Sequence, residues 1–216
     1  MTYAKEDVDD FWDAAAHGEQ CCALEPDEAA RFDTRAQARD RIEPYLWAFA
    51  RFEDGGDKDV REIGAGMGAD HIEWAHVRPG SLAGVDLTVR AIHFTRTRFA
   101  VAGFAPDLRV ADADSLPFKD AFFDLVYIWD ALRCSPETAN AFREVGRVLR
   151  PGGVARVDNR WSLTGLMSGS AAANSEADRR PRLTISMRSI WRAPAPKHTR
   201  RPLRRRSAAK LVWSFR

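Results

Sequence analysis

From residue 58 onward, short apolar stretches alternate along the chain with longer amphipathic ones. Short strands that alternate with helices of ten residues or more are typical of parallel βαβ units. We therefore predict an α/β fold, with a three-layer α/β/α, doubly wound parallel sheet. The predicted strands lie at 60–63, 82–86, 107–111, 124–129 and 153–158, and the helices that precede the sheet at 6–16, 27–40 and 41–52.

Length and composition exclude several other classes of protein. The chain has 216 residues, of which 45% are hydrophobic, which is enough for one domain with its own core. It contains no run of about 18 to 20 apolar residues such as a membrane span needs, and its first residues are acidic without an apolar signal core. Cys21, Cys22 and Cys134 form neither a disulfide framework nor a zinc pattern. We therefore expect a cytoplasmic protein with no membrane partner and no metal.

The small net charge of +2 conceals a sharp division of charge along the chain. Residues 168–216 hold 13 Lys or Arg and two acids, so their net charge is +11, whereas residues 1–167 have a net charge of −9. Such a change of character indicates a boundary. We predict a helical lead-in at 1–57, an α/β domain at 58–167 and a basic, disordered tail at 168–216.

The first predicted strand runs into a glycine-rich turn, with the sequence VREIGAGMG at residues 60–68. Glycines between a strand and a helix allow a tight turn and let a ligand approach the backbone and the helix N-terminus. Gly64, Gly66 and Ala69 also satisfy the G-x-G-x-x-G/A pattern of dinucleotide-binding proteins. Taken alone, the motif is a weak signal that favours ligand binding, because a glycine turn that binds nothing can have the same pattern.

Asp86 lies at the end of the second predicted strand. The two oxygens of a carboxylate in this place can accept hydrogen bonds from both hydroxyls of a ribose bound over the glycine turn. An enzyme that uses NAD and one that uses S-adenosylmethionine would both need such an acid. Asp86 therefore favours nucleoside binding without choosing between these two cofactors.

Three later segments distinguish the two cofactors: ADADSLPF at 111–118, FFDLVY at 122–127 and RVLRPGG at 147–153. With these segments, the chain resembles the class I S-adenosylmethionine-dependent methyltransferases, in their type 11 small-molecule branch. The resemblance covers about residues 58–157, with the motifs in the family's order and spacing. It implies a Rossmann-like sheet, S-adenosylmethionine as the cofactor and a small-molecule acceptor.

The resemblance also implies a role for individual residues. Glu62 and the glycine turn would meet the amino acid end of the cofactor, and Asp86 would hold its ribose. Asp112 would accept a hydrogen bond from the adenine amino group, and Leu87 would cover the adenine face. The full set of cofactor-binding positions is Glu62, Gly64, Ala65, Gly66, Gly68, Asp86, Leu87, Asp112, Ala113 and Trp129.

The chain departs from the family after the fourth strand, where relatives carry a glycine and a pair of histidines. Asp130 stands at the glycine position, and Arg133 and Cys134 stand at the histidine positions. Arginine stays protonated, and Cys134 is more simply interpreted as a buried thiol, so no catalytic base can be named. Arg61 occupies a strand position that is aliphatic in relatives, where an unpaired charge would be costly.

Histidines elsewhere in the chain have no obvious partner in the sequence, so we expect them to have solvated or packing roles. They are His17, His71, His76, His93 and His198.

The family's sheet continues past the fifth strand with a further helix and an antiparallel pair of strands. Here the basic tail takes their place, so we expect the sheet to lack its last strands. Three interpretations of the tail remain open: a non-specific nucleic-acid-binding arm, a solvated disordered extension, or the product of a shifted reading frame. Enrichment in Arg, Ala, Pro and Ser is typical of G/C-rich genes translated out of frame.

The function predicted from the sequence is S-adenosylmethionine-dependent methylation of a small molecule, impaired if the aberrant C-terminus removes part of the acceptor site. Two alternatives stay open. The first is an NAD-dependent oxidoreductase, which the glycine turn and Asp86 would also serve. The second is a non-catalytic remnant of a methyltransferase, for which the lack of a nameable base argues.

Overall fold

A computed structural model describes residues 5–14, 27–132, 138–158, 182–186 and 211–213. They form six α-helices and one sheet of seven strands. The helices are α1 Lys5–Ala14, α2 Glu28–Ile42, α3 Leu46–Ala50, α4 Ala69–His76, α5 Val89–Val101 and α6 Thr138–Val148. The strands are β1 Asp59–Ile63, β2 Ser81–Asp86, β3 Asp107–Val110, β4 Phe123–Trp129, β5 Leu149–Asp158, β6 Arg182–Ser186 and β7 Leu211–Trp213.

The strand order in the sheet is β3-β2-β1-β4-β5-β6-β7, and strands β1 to β6 are parallel to one another. The order reverses at β1, which pairs with β2 on one side and with β4 on the other. This is the doubly wound arrangement predicted from the alternating pattern, and the α/β fold class is confirmed.

Each face of the sheet is covered by its own apolar cluster. On one face, Ile63 and Val126 pack with residues of α6 such as Val145. On the other, Val60 packs with Leu46 of α3 and with Trp74 of α4. Because neighbouring residues of a strand point to opposite faces, β1 contributes to both clusters, and the fold has three layers.

Side-chain caps fix where two of the helices begin. Asp27 accepts a hydrogen bond from the Ala30 amide at 2.7 Å at the start of α2. Thr88 accepts one from the Ala91 amide at 3.1 Å at the start of α5. Both caps satisfy amide groups that the helix itself leaves unpaired. The cap at Thr88 also fixes the path of the chain immediately after Asp86.

The single helix predicted at 41–52 is wrong. The structure has instead the short helix α3, followed by a 3₁₀ turn at Phe52–Gly55. Pro44 disfavours a helical conformation for the residue before it, and α2 ends before Glu43, which has φ of −124° and ψ of 57°. Arg51 then adopts a left-handed conformation, with φ of 46°, which ends α3.

The expectation that the sheet lacks its last strands is also wrong. Strand β6 pairs in parallel with β5, and β7 pairs antiparallel with β6. Residues Leu183 and Ile185 alternate with polar residues, which is a strand pattern, but two apolar positions are too few to stand out in an arginine-rich segment. Parts of the basic tail therefore belong to the sheet, whereas the three-part division at 57 and 167 stays a prediction.

Candidate functional site

The candidate site lies at the carboxyl ends of the parallel strands, next to the point where the strand order reverses. Strand β1 ends in the glycine turn, β2 ends at Asp86, and the turn at 111–118 follows β3. In open parallel sheets, ligands bind in the crevice that forms at this point, because the loops there run to opposite sides of the sheet. The position agrees with what the sequence motifs predict.

The glycine turn has a backbone that suits glycine at three positions. Gly64, Gly66 and Gly68 have φ angles of 82°, 54° and 73°, in the left-handed region. A Cβ atom at Gly64 would lie 2.3 Å from the Cβ of Ala131, and one at Gly68 would lie 2.9 Å from Cγ2 of Thr95. At Gly66, by contrast, an added Cβ would meet nothing within 4 Å. Gly66 therefore borders open space, where a ligand can approach the backbone.

Asp86 is tied directly to this turn. Its Oδ2 accepts a hydrogen bond from the Gly66 amide at 2.9 Å, and its Oδ1 accepts from the Thr88 amide at 3.1 Å. Burial raises the pKa of Asp86, while the hydrogen bonds from Gly66 and Thr88 oppose that rise. Oδ1 also accepts from the Thr88 hydroxyl at 3.3 Å, so the carboxylate is fixed beside Gly66 and Oδ2 is the oxygen that keeps a lone pair for a ligand.

The turn after β3 lies beside Asp86. The Ala111 amide donates to the Asp86 carbonyl oxygen at 2.8 Å, which continues the pairing of β2 with β3. In the turn itself, Oδ1 of Asp112 accepts from the Asp114 amide at 2.9 Å. The partly buried side chains of this region that were predicted to contact the cofactor are Leu87, Asp112 and Ala113.

Glu62 is buried beneath the glycine turn, with 2% of its surface exposed. Its Oε2 lies 2.9 Å from Nδ1 of His71, on α4. Burial raises the pKa of Glu62 well above its ordinary value, and it lowers the pKa of His71 to about 3. The expectation that His71 has no partner is therefore wrong, because the turn folds α4 back against β1.

A second buried group lies next to this pair and was not found from the sequence. Asp70, in the first turn of α4, forms an ion pair with Arg39 of α2. It also accepts a hydrogen bond from the Tyr127 hydroxyl at 2.8 Å. Burial raises the pKa of Asp70, and Arg39 opposes that rise. The ion pair attaches α2 to the helix that follows the glycine turn, but its partners are 31 residues apart in sequence, so no local pattern marks it.

Trp129 ends β4 and faces the helical lead-in. Its Nε1 donates to Oε2 of Glu43 at 2.9 Å, and its ring centroid lies 5.5 Å from that of Tyr45 and 5.3 Å from that of Phe49. We call these four residues the aromatic wall. Of the predicted site residues, the structure thus brings Glu62, the glycine turn, Asp86 and the turn after β3 together, and it places Trp129 in a wall at the adjoining strand end.

Two of the departures from the family pattern are visible in the structure. Asp130 has a φ of 55°, in the left-handed region that glycine adopts without strain, which agrees with its place at a glycine position. Arg61 is fully buried, with its guanidinium carbon 3.6 Å from the ring centroid of Phe118. Arg133 and Cys134 lie outside the described residues.

The described residues contain no group of three or more His, Cys, Asp or Glu placed to hold a metal ion. Among the helices of this part of the chain, each is too short or too polar to cross a membrane.

Comparisons with known proteins agree with the geometry. Residues 61–157 match the family described as "Methyltransferase domain". The phthiotriol/phenolphthiotriol dimycocerosates methyltransferase of Mycobacterium tuberculosis is 38% identical over 102 residues, which are 46% of this chain and 37% of that protein. The fatty-acid O-methyltransferase of Mycolicibacterium smegmatis is 38% identical over 97 residues, or 44% of this chain and 35% of that protein.

These matches span little more than a third of the length of the curated relatives. Among solved structures, geranyl diphosphate C-methyltransferase from Streptomyces coelicolor A3(2) aligns with a TM-score of 0.52 and 21% identity. The alignment covers 69% of this chain and 61% of that one, and it supports the fold.

Proposed function

Because residues 61–157 belong to the methyltransferase domain family, we propose that this chain binds S-adenosylmethionine at the carboxyl ends of β1, β2 and β3 and methylates a small apolar acceptor. The contact of Asp86 with Gly66, beside open space at Gly66, is the observation that carries the proposal. This contact places a fixed carboxylate next to a backbone segment that a ligand can reach. A nucleoside with a charged tail needs the first for its ribose and the second for its tail.

The residues present fit this cofactor. Asp86 would accept hydrogen bonds from the ribose hydroxyls, and Asp112 would accept one from the adenine amino group. Glu62, beneath the glycine turn, would attract the cofactor's ammonium group. When bound, S-adenosylmethionine supplies a methyl group on a positively charged sulfur, which is already activated for displacement. The chain's own contribution is to orient the two reactants and to exclude water.

The aromatic wall supports an apolar acceptor. Tyr45, Phe49 and Trp129 place three aromatic rings at the carboxyl end of β4, beside the proposed cofactor site. Aromatic side chains with a few polar groups are typical of pockets for apolar ligands. Two of the relatives are named for a fatty acid and for phthiotriol/phenolphthiotriol dimycocerosates. We therefore place the acceptor among molecules with a fatty-acyl chain.

A fatty-acyl acceptor also fits the lack of an identified base. The carboxylate of a fatty acid has already lost its proton at neutral pH, so it can attack the methyl carbon directly. A general base is needed only when the nucleophile must lose a proton in the reaction. Orientation and desolvation by the aromatic wall and the glycine turn would then suffice.

Two matched glycine substitutions test the binding site. Gly66 and Gly103 both have positive φ, and an added Cβ would meet nothing within 4 Å at either position. Gly66→Ala and Gly103→Ala should therefore lose similar stability, about 1 kcal/mol each. Titration calorimetry should show weaker binding of S-adenosylhomocysteine to Gly66→Ala alone. Equal affinity in both variants would contradict a cofactor at the glycine turn.

Transfer of a labelled methyl group tests the reaction. The full chain is incubated with S-adenosylmethionine carrying a tritiated methyl group and with fatty acids of increasing length. We expect label in the organic extract, rising with chain length because longer chains bury more apolar surface. Binding of the cofactor with no transfer to any acceptor of this class would instead favour the non-catalytic remnant.

A further inference from the structure

Beneath the glycine turn, His71 is buried completely and has a single polar partner among the described contacts, Oε2 of Glu62 at 2.9 Å. Its other ring nitrogen, Nε2, is buried without a hydrogen-bond partner among the described residues. Leaving Nε2 unpaired in the interior is unfavourable. The hydrogen bond at Nδ1 is therefore the polar contact that orients the ring.

Packing holds the ring in this orientation. The His71 ring packs against that of Phe99, with their centroids 5.0 Å apart and their planes tilted by 36°. On the other side it lies against Gly84 of β2, where an added Cβ would come within 2.9 Å of Cε1 and 3.0 Å of Nε2. A side chain at position 84 would thus clash with the ring in its present orientation. The lack of one at Gly84 is part of what keeps Nδ1 on the carboxylate.

We propose that His71 is a positioning residue, which donates from Nδ1 to Glu62 and so holds that side chain ionised and turned toward the ammonium group of the cofactor. The inference rests on the function proposed above and assigns a role to a residue that the family motif does not include. Glu62 is the group that would touch the cofactor, and His71 would act only through it.

The protonation states are consistent with this direction of donation. Burial lowers the pKa of His71 to about 3, so the ring is neutral and carries one proton over the whole working range of pH. When Glu62 is ionised, that proton must lie on Nδ1, because a carboxylate can only accept. A hydrogen bond of this kind stabilises the charged form and opposes the rise in the pKa of Glu62 that burial causes.

Other charged groups also act on the pair. Those that act electrostatically on Glu62 are Asp70 of α4, Arg39 of α2, Asp86 of β2 and, from the opposite face of β1, Arg61, which also acts on His71. The two acids make ionisation of Glu62 harder, and the two arginines make it easier. All four stay in place when only position 71 is changed, so a change in pH dependence can be assigned to the lost donor.

Two substitutions at position 71 separate positioning from packing. His71→Leu fills the space but removes the donor, whereas the amide of His71→Asn can place a donor near the position of Nδ1. His76→Leu, on the exposed side of the same helix, is the control. For each full-length variant, the dissociation constant of S-adenosylhomocysteine is measured by calorimetry between pH 5.5 and 8.5.

We expect His71→Leu to bind about tenfold to a hundredfold more weakly at pH 7, the range for a lost hydrogen bond to a charged group. The rise in affinity with pH should also move to higher pH in that variant, because Glu62 ionises less readily. His71→Asn should recover most of the affinity and the original pH dependence, and His76→Leu should match the wild type.

Equal affinity in wild type and His71→Leu would overturn the proposal. So would equal weakening of His71→Leu and His71→Asn with no movement along the pH axis, since that pattern indicates packing alone. If the wild-type chain itself binds neither S-adenosylmethionine nor S-adenosylhomocysteine, the proposed function fails, and this inference fails with it.

Discussion

At the scale of single residues, the site depends on carboxylates held where water is excluded. Glu62 and Asp70 are buried in adjacent positions beneath the glycine turn, and burial raises the pKa of each. Asp70 is offset by Arg39 and Tyr127, whereas Glu62 has one neutral partner, His71. Of the two carboxylates, Glu62 is therefore the one without a cation in direct contact among the described residues. The ammonium group of the cofactor would provide that contact.

The substitution Glu62→Gln tests whether ionising this buried carboxyl group lowers the stability of the fold as pH rises. A carboxyl group whose pKa is raised by folding stabilises the fold at low pH, and this contribution is lost as pH rises through the raised pKa. Wild type should therefore lose free energy of unfolding relative to Glu62→Gln above about pH 4.5, by up to about 1.4 kcal/mol per pH unit.

Denaturant unfolding of both proteins between pH 4.5 and 8 measures the difference. The same substitution should weaken cofactor binding, so stability and affinity should change in opposite directions. Parallel pH profiles for the two proteins would mean that folding does not raise the pKa of Glu62.

The sequence located the acids but not their partners. Asp86 and the glycine turn follow from local spacing, because a strand end and a tight turn each leave a local pattern. His71 lies in a helix whose own pattern is apolar, and its contact with Glu62 depends on how the turn directs α4. The pairing of Arg39 with Asp70 depends on where α2 lies on the domain, which no local spacing records.

At the scale of elements, β1 carries a different charge on each face. Glu62 points to the face covered by α4, and Arg61 points to the face where Phe118 and Phe123 pack. All three guanidinium nitrogens of Arg61 are buried without a hydrogen-bond partner among the described residues. Burial lowers the pKa of Arg61 to about 9, so it stays charged at neutral pH. The cation–π contact with the ring of Phe118 offsets only part of the free energy that it costs to bury this charge.

Replacing Arg61 with an apolar residue should therefore stabilise the fold. For Arg61→Met we expect the free energy of unfolding to rise by about 1–4 kcal/mol, the range seen when buried charged groups are replaced by apolar ones of similar volume. Arg109→Met is the matched control, because Arg109 lies over the same ring at 4.5 Å but is partly exposed. It should change stability by only about 0.5 kcal/mol.

Denaturant titration at pH 7 distinguishes the two arginines. We expect Arg61→Met to gain stability, so a loss as large as that of a core truncation would contradict the prediction. It would mean that the buried guanidinium stabilises the fold. The sequence indicated a costly position, since Arg61 interrupts an apolar strand, but the ring that partly accommodates it lies 57 residues away.

At the scale of the whole molecule, the sheet extends beyond what the sequence predicts. Strands β1, β2, β4 and β5 are largely buried and alternate with helices, so their positions and parallel pairing were predictable. Strand β3 has one buried residue of four and was predicted from its place in the same alternation. Strands β6 and β7 have five and three residues and lie in a segment dominated by arginine. Backbone pairing rather than side-chain pattern places them in the sheet, and such pairing cannot be read from composition.

A proline in β6 tests whether these strands contribute to stability. Thr184 pairs with Arg156 on one side and with Val212 on the other, so Thr184→Pro removes a donor from an interior strand. We expect the free energy of unfolding to fall by about 1–3 kcal/mol. Ala173→Pro, in the stretch of small residues that follows residue 167, is the control and should have little effect. Equal stability of both variants would mean that the domain is held together by the first five strands alone.

The most direct test of the central claim is a calorimetric titration of the full wild-type chain with S-adenosylmethionine, S-adenosylhomocysteine and NAD in separate runs. We expect one site per chain with micromolar affinity for the first two compounds, because Asp86, Asp112 and Glu62 converge on a nucleoside with a charged amino acid tail. NAD should give no heat of binding at the same concentrations. Micromolar binding of NAD without any response to the other two would contradict the account.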